Sequence, residues 1–127
     1  MISLPHPVRV FLHTPATDLR KGFDALCGLV STAFGQDATS GHLFLFVNRR
    51  RDRIKILYWD RDGLAIWYKR LEIGSFQLPT TATKAVSIEM TATQLSLILS
   101  GIDLGSARQR KRYHRPALGA ENRPFPS

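Results

Sequence analysis

Hydrophobic positions in the first third of the chain follow a strand period and then a helix period. Residues 8–12 (VRVFL) form a short, mostly apolar run between prolines and predict a first strand. Thr17 or Asp18 can then cap a helix. Behind them, apolar residues recur every three or four positions, which predicts an amphipathic helix that ends at Gly35. Its apolar stripe comprises Leu19, Phe23, Leu26, Val30 and Phe34.

Three strand patterns follow one another between residues 42 and 71. Residues 42–47 (HLFLFV) are almost continuously apolar, which is typical of a strand buried on both faces. Residues 53–60 alternate between two faces. Residues 64–71 return after Asp62-Gly63, a pair that favours a type I′ turn. The block therefore predicts an antiparallel three-stranded meander.

The last apolar segments add one strand and one helix. Phe76 is expected to anchor a loop onto the core, and residues 86–89 (VSIE) predict a short strand. Thr91 can cap a final helix over residues 92–100, and Gly101 is a natural end for it.

Beyond residue 104, apolar residues become scarce while arginine, proline and glycine accumulate, which predicts a flexible basic tail over residues 105–127. Residues 1–104 are expected to form a single α+β domain. Its predicted architecture is an antiparallel sheet built around the meander, packed with one long and one short helix.

The positive charge of the chain is concentrated in two segments. The 127 residues carry a formal net charge of +8. Residues 49–70 contain eight Lys and Arg against three Asp, and residues 108–127 contain six against one Glu. Uniform solubility would not require this concentration, whereas a polyanionic partner such as nucleic acid would favour it.

Residue types that carry catalysis or hold metals are sparse. The single cysteine, Cys27, excludes an internal disulfide framework and a multi-cysteine zinc site. The four histidines are scattered, and no glycine-rich phosphate loop occurs. Asp52, Asp60 and Asp62 are clustered, but turn formation and pairing with arginine explain them better than a metal centre does. We therefore expect no enzyme activity, no metal site and no cofactor.

The sequence predicts no membrane-spanning segment, and its positive charge favours nucleic acid over an anionic membrane as partner. No apolar run approaches the roughly 20 residues that span a bilayer. The N-terminus also lacks the basic stretch and apolar core of a secretory signal. The expected location is the cytoplasm.

What remains is a binding surface on the meander. An antiparallel ribbon can enter a major groove while its rim cations contact phosphates. Tyr58 and Tyr68 are expected to point into the core with Ile54, Ile56 and Ile66, which leaves the two tryptophans as exposed candidates for base stacking. The predicted nucleic-acid surface comprises Arg49, Arg50, Arg51, Arg53, Lys55, Trp59, Trp67, Lys69 and Arg70, with Arg110, Lys111 and Arg112 of the tail as auxiliary contacts.

Several segments of the chain match a known bacterial pattern. They are residues 17–24 (TDLRKGFD), 41–46 (GHLFLF), 55–60 (KILYWD), 69–72 (KRLE), 94–96 (QLS) and 101–103 (GID), with Gly63, Gly74, Phe76 and Pro79 between them. Over residues 7–104 the chain resembles the TnpB accessory proteins of the insertion sequence 66 family, the product of its second open reading frame. The resemblance implies a role in bacterial transposition beside a larger transposase that holds the acidic catalytic residues.

Three interpretations of the basic surface follow. The first is a non-catalytic accessory protein that binds DNA and helps to assemble the transposase on the element ends. The second is a protein–protein adaptor that docks on the transposase without contacting nucleic acid, which requires an exposed apolar patch around Trp59 and Trp67. The third is RNA binding by the same face.

Overall fold

The computed structural model describes residues 7–79 and 84–101, which form one five-stranded sheet and two helices. In chain order the elements are β1 (Val10–His13), α1 (Phe23–Phe34), β2 (Leu43–Val47), β3 (Arg53–Asp60), β4 (Gly63–Arg70), β5 (Ser87–Met90) and α2 (Ala92–Ser100). The fold class is therefore α+β. The predictions made for residues 105–127, including the basic tail with Arg110, Lys111 and Arg112, lie outside the described residues.

The sheet has the strand order β4-β3-β2-β1-β5. The pairs β2–β3 and β3–β4 are both antiparallel, which confirms the predicted meander. The prediction of an antiparallel sheet is correct for three of the four strand pairs and wrong for β1 and β2, which pair in parallel. The chain leaves β1 through a loop and α1 before it enters β2, and parallel neighbours need such a crossover connection.

The two helices cover opposite faces of the sheet, because side chains along each strand alternate between the faces. The α1 face packs strand residues against α1, and its buried members include Phe11, Phe44, Phe46 and Leu57 with Leu26 and Val30 of the helix. The α2 face packs against α2 and Phe76, and its buried members include Leu12, Leu45, Val47, Ile54 and Ile56 with Ile98 of the helix. Strand β2 therefore contributes to both cores, as its continuous apolar run predicts.

Helix α1 begins later than its apolar stripe predicts. Its N-cap is Gly22, whereas Thr17 and Asp18 lie in the preceding loop. The N–H of Thr17 donates to the carbonyl of Val47 (2.9 Å), and Asp18 Oδ1 accepts from the N–H of Arg20 (3.0 Å). The first bond ties the loop to β2, and the second forms a local turn at Asp18; local aspartate bonds of this kind compete with helix formation.

The turn between β3 and β4 differs by one residue from its prediction. Asp60 pairs with Gly63, so Gly63 belongs to the strand and the loop residues are Arg61 and Asp62. The positive φ of 60° falls on Arg61, and the prediction of a type I′ turn at Asp62-Gly63 is wrong. The Asp62 N–H donates back to the Asp60 carbonyl (2.6 Å), which tightens the turn around Arg61.

Helix α2 matches its prediction in bounds and caps. Thr91 and Gln94 form a capping box, and Gly101 ends the helix in the left-handed conformation with a φ of 87°. Within the described ranges, neither helix has the length and apolar character needed to cross a membrane.

Candidate nucleic-acid interface

The turn between β2 and β3, residues 48–52, is closed by the side chain of Asn48. Asn48 Oδ1 accepts from the backbone N–H groups of Asp52 (3.1 Å) and Arg53 (3.0 Å), and its Nδ2 donates to Asp52 Oδ1 (2.7 Å). The N–H of Arg51 donates to the Asn48 carbonyl (3.0 Å), and Arg51 itself has a φ of 59°. These bonds hold three consecutive exposed arginines, Arg49, Arg50 and Arg51, on one ordered turn.

A second segment, the β1–α1 loop (residues 14–22), lies beside this turn. Its Thr17 N–H bonds to the end of β2, and the Nζ of Lys55 donates to the carbonyl of Lys21 (3.0 Å). The loop is thus tied to both β2 and β3. Because β1 and β2 are adjacent and parallel, the segments that follow them emerge side by side at the same end of the sheet.

An open cleft of about 480 Å³ lies between the β1–α1 loop and the β2–β3 turn. We call it the arginine cleft. Its charged and aromatic lining comprises Arg20, Arg49, Arg50, Arg53, Asp18, Asp52 and Tyr68.

Two of these charged groups neutralise each other. Arg20 donates to both carboxylate oxygens of Asp18, with the shortest bond at 2.7 Å. These bonds hold the pKa of Asp18 well below its usual range and raise the pKa of Arg20. By contrast, Arg49, Arg50 and Arg53 form no ion pair with any residue in 7–79 or 84–101. Within this part of the chain, the cleft therefore presents three guanidinium groups that no carboxylate neutralises.

Tyr68 forms a wall of the cleft and is 48% exposed. It pairs with Lys55 across β3 and β4, which places both on the α1 face, and the Lys55 Nζ lies 4.9 Å from the centre of its ring. The prediction that Tyr68 points into the core with Ile54 and Ile56 is wrong, because those isoleucines lie on the α2 face. Ile66 likewise packs on the α1 face, whereas Tyr58 packs against the α2-side core.

The pairing register separates other members of the predicted surface. Trp59 pairs with Leu64 on the α1 face, whereas Trp67 pairs with Ile56 on the α2 face. Trp67 is 40% exposed and Trp59 is partly buried. The two tryptophans therefore do not form a common patch, and their contact with nucleic acid stays a prediction.

Two cations of the predicted surface, Lys69 and Arg70, do not line the arginine cleft. Lys69 pairs with Ile54 and so lies on the α2 face, away from the arginine cleft. Arg70 lies on the α1 face and donates to Glu72 (2.9 Å), a bond that raises the pKa of its guanidinium. Of the predicted meander cations, the structure thus brings together Arg49, Arg50, Arg51, Arg53 and Lys55.

The three clustered aspartates of the sequence are apart in the structure. Asp52 lies in the β2–β3 turn, whereas Asp60 and Asp62 lie at the β3–β4 turn, the other end of β3. Across the part of the chain that the structure describes, no three His, Cys, Asp or Glu side chains are placed to hold a metal ion.

Sequence reasoning missed the β1–α1 loop as a wall of the site. A signal was present, because a strand, a helix and a second strand in succession are the pattern of a parallel unit. Such a unit places the loop after β1 next to the turn after β2. The exposure of Tyr68 has no comparable signal, since alternation alone does not tell which face of an edge strand a helix covers.

The fold and the cleft define a small α+β protein with a cationic site at the edge where β1 and β2 end. The family described as IS66 Orf2 like protein matches residues 8–109, and the chain belongs to that family. This membership confirms the resemblance and associates the chain with IS66 transposition.

Two relatives come from Sinorhizobium fredii. The uncharacterized protein y4jC is 33% identical over 116 residues, which cover 91% of this chain and 97% of the relative. The uncharacterized protein y4hO is 36% identical over 103 residues, which cover 81% of this chain and 88% of the relative. No solved structure matches the chain.

Proposed function

We propose that this chain is a non-catalytic accessory protein of IS66 transposition that binds DNA through the arginines at the β2–β3 turn. The observation that carries the proposal is the placement of Arg49, Arg50, Arg51 and Arg53. Arg49, Arg50 and Arg51 lie on the β2–β3 turn, and Arg53 is the first residue of β3. All four are exposed, and none forms an ion pair within the described residues. Guanidinium groups without an internal partner are available for DNA phosphates, which they bind in a planar, two-pronged geometry.

The arrangement favours DNA over the adaptor alternative. An adaptor of the predicted kind needs a continuous apolar patch around Trp59 and Trp67. The register places these tryptophans on opposite faces, so they cannot supply one patch. The consecutive arginines of the β2–β3 turn, by contrast, lie together on one segment.

Salt dependence tests the electrostatic part of the proposal. If the protein neutralises about six to eight phosphates, the logarithm of its affinity should fall against the logarithm of salt concentration with a slope of about −5 to −7. Electrophoretic shift titrations on duplex DNA at several salt concentrations measure this slope. Absence of a shift even at low salt would contradict DNA binding.

Charge reversal tests the assigned surface. Arg50→Glu combined with Arg51→Glu should abolish DNA binding and leave the far-ultraviolet circular dichroism unchanged, because both side chains are exposed. Loss of the folded spectrum would instead show that these arginines are structural.

The chain offers a matched control for the single variant Arg51→Glu. Arg61 has almost the same backbone geometry, with a φ of 60° against 59°, and lies in the turn at the other end of β3. Arg51→Glu should reduce the magnitude of the salt slope by about 1, and Arg61→Glu should leave it unchanged. Equal effects of the two variants would mean that only total charge matters.

Co-purification separates the adaptor function from DNA binding. A transposase complex that depends on DNA should disappear after nuclease treatment. A complex that persists after that treatment, together with no shift of DNA, would support the adaptor and overturn the proposal.

A further inference from the structure

We propose that the arginine cleft binds one unpaired nucleotide of a DNA strand, with the phosphate among Arg49, Arg50 and Arg53 and the base against the ring of Tyr68. This inference rests on the proposed function and adds to it a preference for DNA that is locally single-stranded. Frayed or opened element ends would supply such nucleotides.

The size of the cleft fits one nucleotide. Its volume of about 480 Å³ lies within the range of about 300–1,000 Å³ that holds small organic ligands. A base inside a duplex stays in its stack and presents only its edges to a protein. A recess of this size between two chain segments can therefore accept a base only after it has left the stack.

The charges around the cleft favour a phosphate despite two aspartates in the lining. Asp18 forms an ion pair with Arg20, and the Asp52 carboxylate accepts a hydrogen bond from the Asn48 side chain (2.7 Å). Arg49, Arg50 and Arg53 remain without an ion pair in the described ranges. Three guanidinium groups on one side of a recess suit the oxygens of a single phosphate.

Tyr68 provides the stacking surface. It is half-exposed on the edge strand β4, and Lys55 lies over its ring. Lys55 is itself anchored on the Lys21 carbonyl (3.0 Å), so this contact restrains the tyrosine ring before a ligand arrives. Aromatic side chains beside cationic grooves are the usual means by which proteins bind unpaired bases without sequence preference.

Two neighbouring aromatic residues on β4 allow a variant of the proposed site to be compared with a matched control variant. Trp67 and Tyr68 are adjacent and similarly exposed, at 40% and 48%, but they lie on opposite faces of the sheet. Fluorescence anisotropy would compare a labelled single-stranded oligodeoxynucleotide with a blunt duplex of the same sequence. Tyr68→Ala should weaken binding of the single strand about tenfold, whereas Tyr68→Phe, which keeps the ring, should restore it.

The control and the duplex define the outcomes. Trp67→Ala should weaken binding of the single strand far less than Tyr68→Ala does, because Trp67 lies on the other face of the sheet and does not line the arginine cleft. Tyr68→Ala should bind the blunt duplex with little change. Equal effects of Tyr68→Ala and Trp67→Ala on the single strand would overturn the nucleotide site while leaving the proposed function intact. If the parent protein binds neither DNA, or binds only the RNA strand of the same sequence, both proposals fail.

Discussion

At the scale of single residues, the most informative positions are two arginines in left-handed backbone conformation. Arg51 and Arg61 have φ values of 59° and 60° in the turns at the two ends of β3. A side chain in this conformation costs about 1–2 kcal/mol, whereas glycine adopts it freely. Arg51 therefore lowers the stability of the turn that presents the proposed phosphate contacts.

This cost leads to a prediction for Arg51→Gly. The substitution should raise the free energy of unfolding by up to about 1 kcal/mol, because the strain is relieved. It should also weaken DNA binding, because one exposed guanidinium is lost. Urea denaturation and anisotropy titration measure the two effects.

Arg50→Gly is the control, because Arg50 is not among the residues with positive φ. It should weaken DNA binding similarly without any gain in stability. A gain with both variants would argue against backbone strain as the cause.

At the scale of elements, α2 shows how a short helix covers one face of the sheet. The helix has nine residues, and its buried Ile98 packs in the core on the α2 face. Isolated helices of this length are unstable in water, so α2 depends on this packing and on its capping box.

The capping box of α2 predicts that Thr91→Ala lowers the stability of the protein. Thr91 Oγ1 accepts from the N–H of Gln94 (3.0 Å), and the Thr91 N–H donates to Gln94 Oε1 (2.9 Å). Loss of the hydroxyl should lower the free energy of unfolding by about 1 kcal/mol, measured by urea denaturation. DNA affinity should not change, because α2 and the arginine cleft lie on opposite faces.

Thr93→Ala, at an exposed position inside the helix, serves as the comparison. It should be neutral or slightly stabilising, since alanine favours helix more than threonine does. A loss as large as that of Thr91→Ala would show that the cap itself contributes little.

Local patterns in the sequence predicted those elements whose ends carry their own signals. β3 has the bounds that its alternation predicts, and α2 begins and ends at its caps. The start of α1 was missed because a backbone bond from Thr17 to β2 holds the segment before Gly22 out of the helix. That bond joins residues far apart in the sequence, and no local pattern contains it.

At the scale of the whole molecule, the candidate site depends on how the strands of the sheet pair with one another. The arginines of residues 49–53 were evident from the distribution of charge along the sequence. The placement of Lys69 and Trp67 on the other face was not, because it depends on the register between β3 and β4. The cleft itself depends on the parallel pairing of β1 with β2, which positions the β1–α1 loop.

Global stability should depend on pH through His13. His13 lies next to this loop, with its Nδ1 3.1 Å from Thr17 Oγ1 and its ring against Phe34 and Phe46. Burial lowers the pKa of His13, partly offset by a hydrogen bond with the backbone of Pro15. As pH falls below about 6.5, the unfolded chain takes up a proton that the folded protein resists, so stability should decrease.

Thermal unfolding between about pH 7.5 and 5.5 measures this effect. The window avoids Asp18, Asp37 and Glu89, whose pKa values are lowered by hydrogen bonds and which therefore act only below about pH 4.5. His13→Asn should reduce the loss of stability on acidification across this window. An unchanged slope in that variant would assign the pH dependence to other groups.

The position of β1 between β2 and β5 has a consequence for the order in which the chain assembles. β2, β3 and β4 are joined by short turns and can pair soon after they are made. In the described sheet β5 pairs with β1, and this pairing brings Val10 to Met90 from nearly the other end of the described chain. Closing so distant a contact is entropically costly and slow. Although β1 is the first of these strands to be synthesised, its pairing with β5 is therefore expected to form last.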